Sequence, residues 1–211
     1  MNKKDCSFSV IMTVYDQARS LEERLPAFLT QEYGGDYDVI VVDESSADDT
    51  DDVLKLLKQE YKHLYTTFLP KPNRNIIRRR MALSIGVKAS KNDWVIFTDI
   101  DHAPASAYWL GELSEAADST TDALVGYFQK KGLRLKTFED VSQAARLVEK
   151  AERKRRKSGR GRFMKYLCGR YDFIAVRRSK AYDILKYFDQ DVSAARLLSL
   201  RMGILFHNCL S

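Results

Sequence analysis

Three short runs of apolar, largely β-branched residues, FSVIMTV at 8–14, YDVIVV at 37–42 and WVIFT at 94–98, each stop abruptly at a polar loop. None alternates apolar with polar residues in the way a half-exposed strand does. Near-continuous apolar strands are buried on both faces, which is the signature of a parallel sheet covered by crossover helices. Helical patterns do stand between them. Ser20 opens one that runs to about Gln31, and the cap-like Asp49-Thr50 leads into another with Val53, Leu54, Leu57 and Tyr61 at helical spacing. In such sheets ligands bind outside the carboxyl ends of the strands. The loops after Val14, Val42 and Phe97 therefore share one edge.

The same pattern continues along the chain. Tyr65 to Leu69 reads as a short third strand, and Ile76 to Lys88 as a helix with Ile77, Met81 and Ile85 on its apolar face. Beyond the third polar loop, Ala105 to Ala117 reads as a helix and Ala123 to Gln129 as a strand. Glu139 to Arg156 is helical and turns strongly basic. Tyr171 to Val176 is a strand, with helices over Ser179 to Phe188 and Ser193 to Phe206. No internal repeat or low-complexity linker interrupts 211 residues. The expectation is one α/β domain, a Rossmann-like, mostly parallel sheet with helices on both faces.

Hydrophobic residues make up 45% of the chain, enough for one sizeable core. A net charge of +6 suits an anionic partner such as a nucleotide, a nucleic acid or a phospholipid surface, and does not choose among them. Cys6, Cys168 and Cys209 show no C-x-x-C spacing, so neither a disulfide framework nor a zinc site is indicated, and a reducing cytoplasmic setting is expected. No run reaches the roughly 18–20 apolar residues of a membrane span. The opening Met1-Asn2-Lys3-Lys4-Asp5 leads into an apolar run too short for a signal peptide.

The third strand end carries the sharpest chemistry, FTDIDHAP at 97–104. Ionised Asp99 and Asp101, one residue apart, repel each other unless a shared proton, a basic partner or a cation intervenes. Magnesium or manganese suits such a pair, since these ions take hard oxygen ligands, often one or two protein carboxylates, and complete their shell with water and substrate phosphate. The plain alternative is two solvated aspartates in a turn before Pro104. His102 beside them is a metal ligand or a solvent-facing loop histidine.

The other two loops add context. An acid at Asp43 or Glu44 can hydrogen-bond a base or ribose, and Tyr15 offers a stacking face. Alternatively Asp43 and Ser45 only cap the helix that follows. A dinucleotide fold is disfavoured by the absence of G-x-G-x-x-G, and P-loop chemistry by the absence of G-x-x-x-x-G-K-[ST].

Taken together, residues 8–110 resemble the family 2 glycosyltransferases of the GT-A fold. The resemblance rests on the strand ending at Thr13-Val14-Tyr15, on Gln31-Glu32-Tyr33 after the first helix and on Val41-Val42-Asp43-x-Ser45. Gly86-Val87-Lys88-Ala89 through Trp94-Val95-Ile96-Phe97-Thr98-Asp99-Ile100-Asp101 completes it. It implies transfer of a sugar from a nucleotide diphosphate sugar, most often a UDP-sugar, to an acceptor hydroxyl. By the same resemblance Thr13 and Tyr15 line the base pocket, Asp43 or Glu44 contacts the base, Asp99 touches ribose or the metal-bound diphosphate, and Asp101 is the principal ligand of Mn2+ or Mg2+. The family usually has Asp where this chain has Glu44. Arg78 and Arg80, in the run Arg78-Arg79-Arg80, fall where the family places an arginine near the nucleotide, although a solvated helix face explains the run equally well.

The resemblance also implies a donor half over 8–104 and an acceptor half over 105–211. Family members often carry a catalytic Glu-Asp pair upstream of a Leu and an Arg in a late helix. The matching stretch here is Ala194-Ala195-Arg196-Leu197-Leu198-Ser199-Leu200-Arg201, with alanines in place of the acids. Asp191 and Asp172 are the substitute candidates for the general base, with Asp189 close by, and a weak or inactive relative is the other explanation.

The basic segment 153–162 (RKRRKSGRGR) is the strongest compositional anomaly. It suits a loop over a diphosphate or lipid-phosphate acceptor, a peripheral anchor on an anionic membrane, or a solvated helix end. Phe163, Met164, Tyr166 and Leu167 nearby suit a membrane-facing role or a core. Nucleic-acid binding is disfavoured, because the basic residues lack interleaved aromatics and no zinc-finger, RNP or helix-turn-helix signature occurs. A nucleotidyltransferase remains the nearest enzymatic alternative, distinguishable by nucleoside triphosphate turnover.

Overall fold

The computed structural model describes residues 6–70, 78–104, 106–117, 121–128, 173–185 and 204–209. In chain order these form β1 (Phe8–Val14), α1 (Ala18–Leu29), β2 (Tyr37–Asp43), α2 (Thr50–Glu60), β3 (Leu64–Phe68), α3 (Arg78–Ala89) and β4 (Trp94–Thr98). Then follow α4 (Trp109–Ala116), β5 (Ala123–Phe128), β6 (Phe173–Arg177), a 3-10 turn over Arg178–Lys180, α5 (Ala181–Leu185) and β7 (Ile204–Cys209).

One seven-stranded sheet has the order β3-β2-β1-β4-β6-β5-β7. β1 pairs in parallel with both β2 and β4, β2 with β3, and β5 with β7. β6 is antiparallel to both β4 and β5, so among the described strands it alone runs against the others. The sheet is mixed but mostly parallel, as the unbroken apolar strands require.

Side chains alternate across the pleat and divide the core in two. Phe8, Val10, Met12 and Val14 of β1 pack with Leu21, Leu25 and Phe28 of α1, Leu54 of α2, and Trp109, Leu110 and Leu113 of α4. Ile11, between them in sequence, joins Ile40, Val95 and Phe97 against Ala82, Leu83 and Val87 of α3 and Ile184 of α5. Helices thus cover both faces. Trp109 meets Phe28 and Phe173 edge-on at 6.0 and 5.1 Å between ring centroids, tying α1, α4 and β6 together.

Two expectations are corrected here. The core side of α3 is Ala82, Leu83, Gly86 and Val87; of the expected face Ile85 packs at the edge of this core, Met81 is 45% exposed, and Ile77 lies outside the described residues. Small residues face inward because α3 lies so close to β1 that a methyl on Gly86 would sit 2.4 Å from Ile11 Cγ2. Residues 204–206, expected to end a helix, instead begin β7, where pairing with β5 supplies their backbone hydrogen bonds. The expected helix over 139–156 lies outside the described residues, as do the basic segment 153–162, Asp172 and Asp191.

Candidate nucleotide and metal site

Register brings the three polar loops together. Val14 at the end of β1 pairs with Asp43 at the end of β2, and Ile11 pairs with Phe97 of β4, so the carboxyl ends of all three strands open on one edge. Past those ends the Glu44 N–H still donates to the Val14 carbonyl at 2.8 Å, and the Leu69 N–H to that of Asp43 at 2.7 Å. Glu44 is thereby held next to the β1–α1 loop. Tyr15 begins that loop, 55% exposed, with its ring available to a ligand. Thr13 lies one residue back in β1 and is half-buried.

The first two loops are laced to each other. Asp43 Oδ1 accepts from the Ser46 N–H at 3.0 Å and its hydroxyl at 2.6 Å, while Ser46 Oγ accepts from the Asp16 N–H at 2.9 Å. Asp16 in return accepts the Ala47 N–H at 2.7 Å. Asp16 and Ser45 have φ of 49° and 66°, the only non-glycine residues with positive φ among those described. Such conformations persist only where the surroundings impose them. Here the cross-loop bonds, with the Ser45 hydroxyl on the Leu69 carbonyl, do so.

The helix starts are capped in a way the sequence did not announce. Asp49, in the capping position of α2, makes no side-chain cap bond. Asp48 instead bridges both helices, accepting the Ala18 N–H of α1 at 3.0 Å on one oxygen and the Thr50 N–H and hydroxyl at 3.1 and 2.5 Å on the other. These bonds, that of the Thr50 hydroxyl first, hold its carboxyl below the usual carboxylate range.

The third loop presents the acid pair. Ile100 is 1% exposed and anchored in the core, so the flanking Asp99 and Asp101 extend from a fixed backbone. The His102 N–H closes the turn on the Asp99 carbonyl at 2.9 Å. The two side chains retain 34% and 59% of their surface. Their repulsion is met by two arginines from different helices. Arg79 of α3 donates to Asp99 at 2.6 Å, and Arg24 of α1 donates to Asp101 at 2.5 Å. His102 Nδ1 lies 4.0 Å from Asp99 Oδ2.

Of the three-arginine run, Arg78 donates to the Glu44 carbonyl, with its Nε 3.7 Å from the Glu44 carboxylate. Arg79 reaches Asp99, while Arg80 is an exposed residue of α3. The geometry therefore joins Thr13, Tyr15, Asp43, Glu44, Arg78, Asp99 and Asp101 along one edge. It adds Arg79 and Arg24, which the sequence reading passed over. Arg79 was within the quoted run, but 100° per residue makes helix phase decisive; Arg24 lies 77 positions from its partner, with no local signal.

A divalent ion fits this donor set. Asp99 and Asp101 offer hard carboxylate oxygens with solvent on one side. Among the described residues no group of three or more His, Cys, Asp or Glu side chains converges as a closed metal cage. Two carboxylates with room for water and phosphate oxygens is the arrangement magnesium and manganese take in nucleotide sites.

The comparisons with known proteins agree with this architecture. The mannosyltransferase PcManGT from Pyrobaculum calidifontis, solved with GDP-Man and Mn2+, superposes with a TM-score of 0.67 at 17% identity, over 97% of this chain and 56% of its own. S. aureus TarS 1-349 in complex with UDP-GlcNAc gives 0.61 at 16%, over 97% and 58%. Glucosyl-3-phosphoglycerate synthase from Mycobacterium tuberculosis, with Mn2+, UDP and phosphoglyceric acid, gives 0.56 at 15%, over 97% and 69%. At these identities the likeness is one of fold, and the chain spans a little over half the length of the first two. No curated protein matches it by sequence. The family profile described as glycosyl transferase family 2 matches residues 9–185, most of the chain, and the protein belongs to that family.

Proposed function

We propose that this protein transfers a sugar from a nucleotide diphosphate sugar to an acceptor hydroxyl, with the donor held on the edge formed by β1, β2 and β4. The observation that carries the reading is the convergence there of an exposed aromatic ring, two acids beside it, a second acid pair and two arginines. Tyr15 stacks on the base, Thr13 lines its pocket, and Asp43 or Glu44 accepts its N–H groups. Arg78 is turned toward Glu44, so base recognition and the α3 arginines are coupled. The solved relatives named above carry guanine or uracil nucleotides, and a UDP-sugar is the donor we favour.

As the bond between sugar and diphosphate breaks, negative charge grows on the leaving oxygens. Mn2+ or Mg2+, held by Asp101 with Asp99, would supply Lewis-acid neutralisation of that charge. Arg79, already on Asp99, adds a fixed positive charge beside it, with Arg80 on the same helix. Asp99 also accepts a ribose hydroxyl. The acceptor hydroxyl needs a carboxylate base, assigned to Asp191 or Asp172 from sequence.

Residues 8–104 are then the donor half and 105–211 the acceptor half. A lipid-linked or surface-polysaccharide precursor is the acceptor class that fits the basic segment, working at the cytoplasmic face of an anionic membrane as a peripheral protein. No helix of the described residues is long and apolar enough to cross a membrane.

The test is calorimetric titration of UDP- and GDP-sugars into the protein and its Asp101→Ala variant, with and without Mn2+. We expect binding that Mn2+ strengthens, with Asp101→Ala losing at least about ten-fold in affinity, or about 1.4 kcal/mol. Unchanged affinity in the variant would sink the metal assignment. Nucleoside triphosphate turnover in place of sugar transfer would replace it with nucleotidyl transfer. Donor binding without any transfer would mark a non-catalytic relative, the reading that Ala194-Ala195 in place of the acid pair supports.

A further inference from the structure

The Arg24–Asp101 contact is unlike the other arginine contact in the loop. Arg79 sits on Asp99, the acid nearer the strand end, whereas Arg24 comes from α1 on the opposite face of the sheet and takes the outer acid, Asp101, at 2.5 Å. Leu21, Leu25 and Phe28 bury one side of α1 and leave Arg24 at its margin, 42% exposed. Its long side chain is thus anchored at the helix, with the guanidinium partly in solvent. A nitrogen 2.5 Å from Asp101 Oδ1 places a full positive charge on the carboxylate that the metal ion would bind. A guanidinium and a dication held on one carboxylate repel each other.

From this geometry we infer that Arg24 is a resident counter-cation of Asp101, which a divalent ion must displace before it binds. The inference rests on the reading of Asp101 as a metal ligand and deepens it. With the ion absent, Arg24 and Arg79 between them offset the repulsion of the two carboxylates. Metal entry exchanges the Arg24 contact for metal coordination and releases the guanidinium into the mouth of the site, beside where the donor diphosphate lies. Arg24 therefore sets a threshold. It weakens binding of the bare ion and returns its positive charge to the donor once the diphosphate arrives, so that ion and donor load together.

The test measures Mn2+ directly, by the electron paramagnetic resonance signal of the free ion, in the wild type and in Arg24→Gln. Arg19→Gln is the control, since it removes the same charge from the same helix while Arg19, 89% exposed, pairs among the described residues with Glu23 alone. Arg24→Gln is expected to bind Mn2+ about three- to ten-fold more tightly than the wild type, with Arg19→Gln close to the wild type. Arg24→Lys, which keeps the charge, should stay near the wild type and guards against a folding defect in the glutamine variant. With UDP present the order should reverse, Arg24→Gln losing affinity for the Mn2+–UDP pair. Equal Mn2+ affinity in Arg24→Gln and Arg19→Gln, or weaker binding in the former, would overturn the inference. If no variant binds Mn2+ and Asp101→Asn changes nothing, the metal reading of the site falls, and this inference falls with it.

Discussion

At the scale of single residues, Asp48 shows how the site is held without touching a ligand. Its carboxylate serves the first turn of two helices and so couples the loops that would grip a base. Replacing it with alanine removes these bonds, and losses of this type run to about 0.5–2 kcal/mol. We expect Asp48→Ala to fall within that range in urea unfolding at pH 7. Asp48→Asn, keeping one acceptor oxygen, should cost less. Because the native carboxyl titrates below its unfolded value, its contribution is complete above the unfolded value near about 3.9 and is lost as pH falls through the native one. The gap between wild type and Asp48→Asn should therefore be constant near neutrality and close in acid. The aspartates of FTDIDHAP were legible from their position after an apolar strand. Asp48, Arg24 and Arg79 were not, because each acts on a partner chosen by folding rather than by spacing.

Elements fared differently according to how much their packing constrained them. The strands β1, β2 and β4 were readable because burial on both faces keeps their centres near-continuously apolar, at residues 10–12, 39–42 and 94–97. On α3 the expectation failed at Met81, which is exposed, while the close approach to β1 is made at Gly86, where a large side chain has no space. A methyl at Gly86 must displace the fully buried Ile11, so Gly86→Ala should destabilise the protein by about 1–3 kcal/mol despite its better helix propensity. Gly111 of α4 makes the comparison, because an added methyl there meets nothing within 4 Å. Gly111→Ala should stabilise by about 0.4–1 kcal/mol. Thermal melts of both variants test the pair, and equal effects would contradict the close approach of α3. β7 carries a related lesson. Leucine and methionine in its approach favour a helix locally, yet an open edge of β5 offered a complete ladder of hydrogen bonds.

At the scale of the whole molecule, a ligand that bridges β1, β2 and β4 binds only the folded sheet. At a hundred times its dissociation constant it should add about 2.7 kcal/mol to stability. For a chain of this size that corresponds to a rise in Tm of roughly 5–10 °C. A thermal-shift panel of nucleoside diphosphates and nucleotide sugars, with and without Mn2+, should show the rise for one base above the others. No shift with any nucleotide would count against the donor site. By itself the sequence determined the α/β class, the mostly parallel sheet, the shared edge of the three polar loops and the acid pair on it, because local periodicity and strand ends encode all of these. Only the tertiary structure decided which cations face those acids, which face of α3 is core and where the chain after α5 rejoins the sheet. Those outcomes depend on contacts between residues far apart in sequence, whose energies compete only once the sheet has formed.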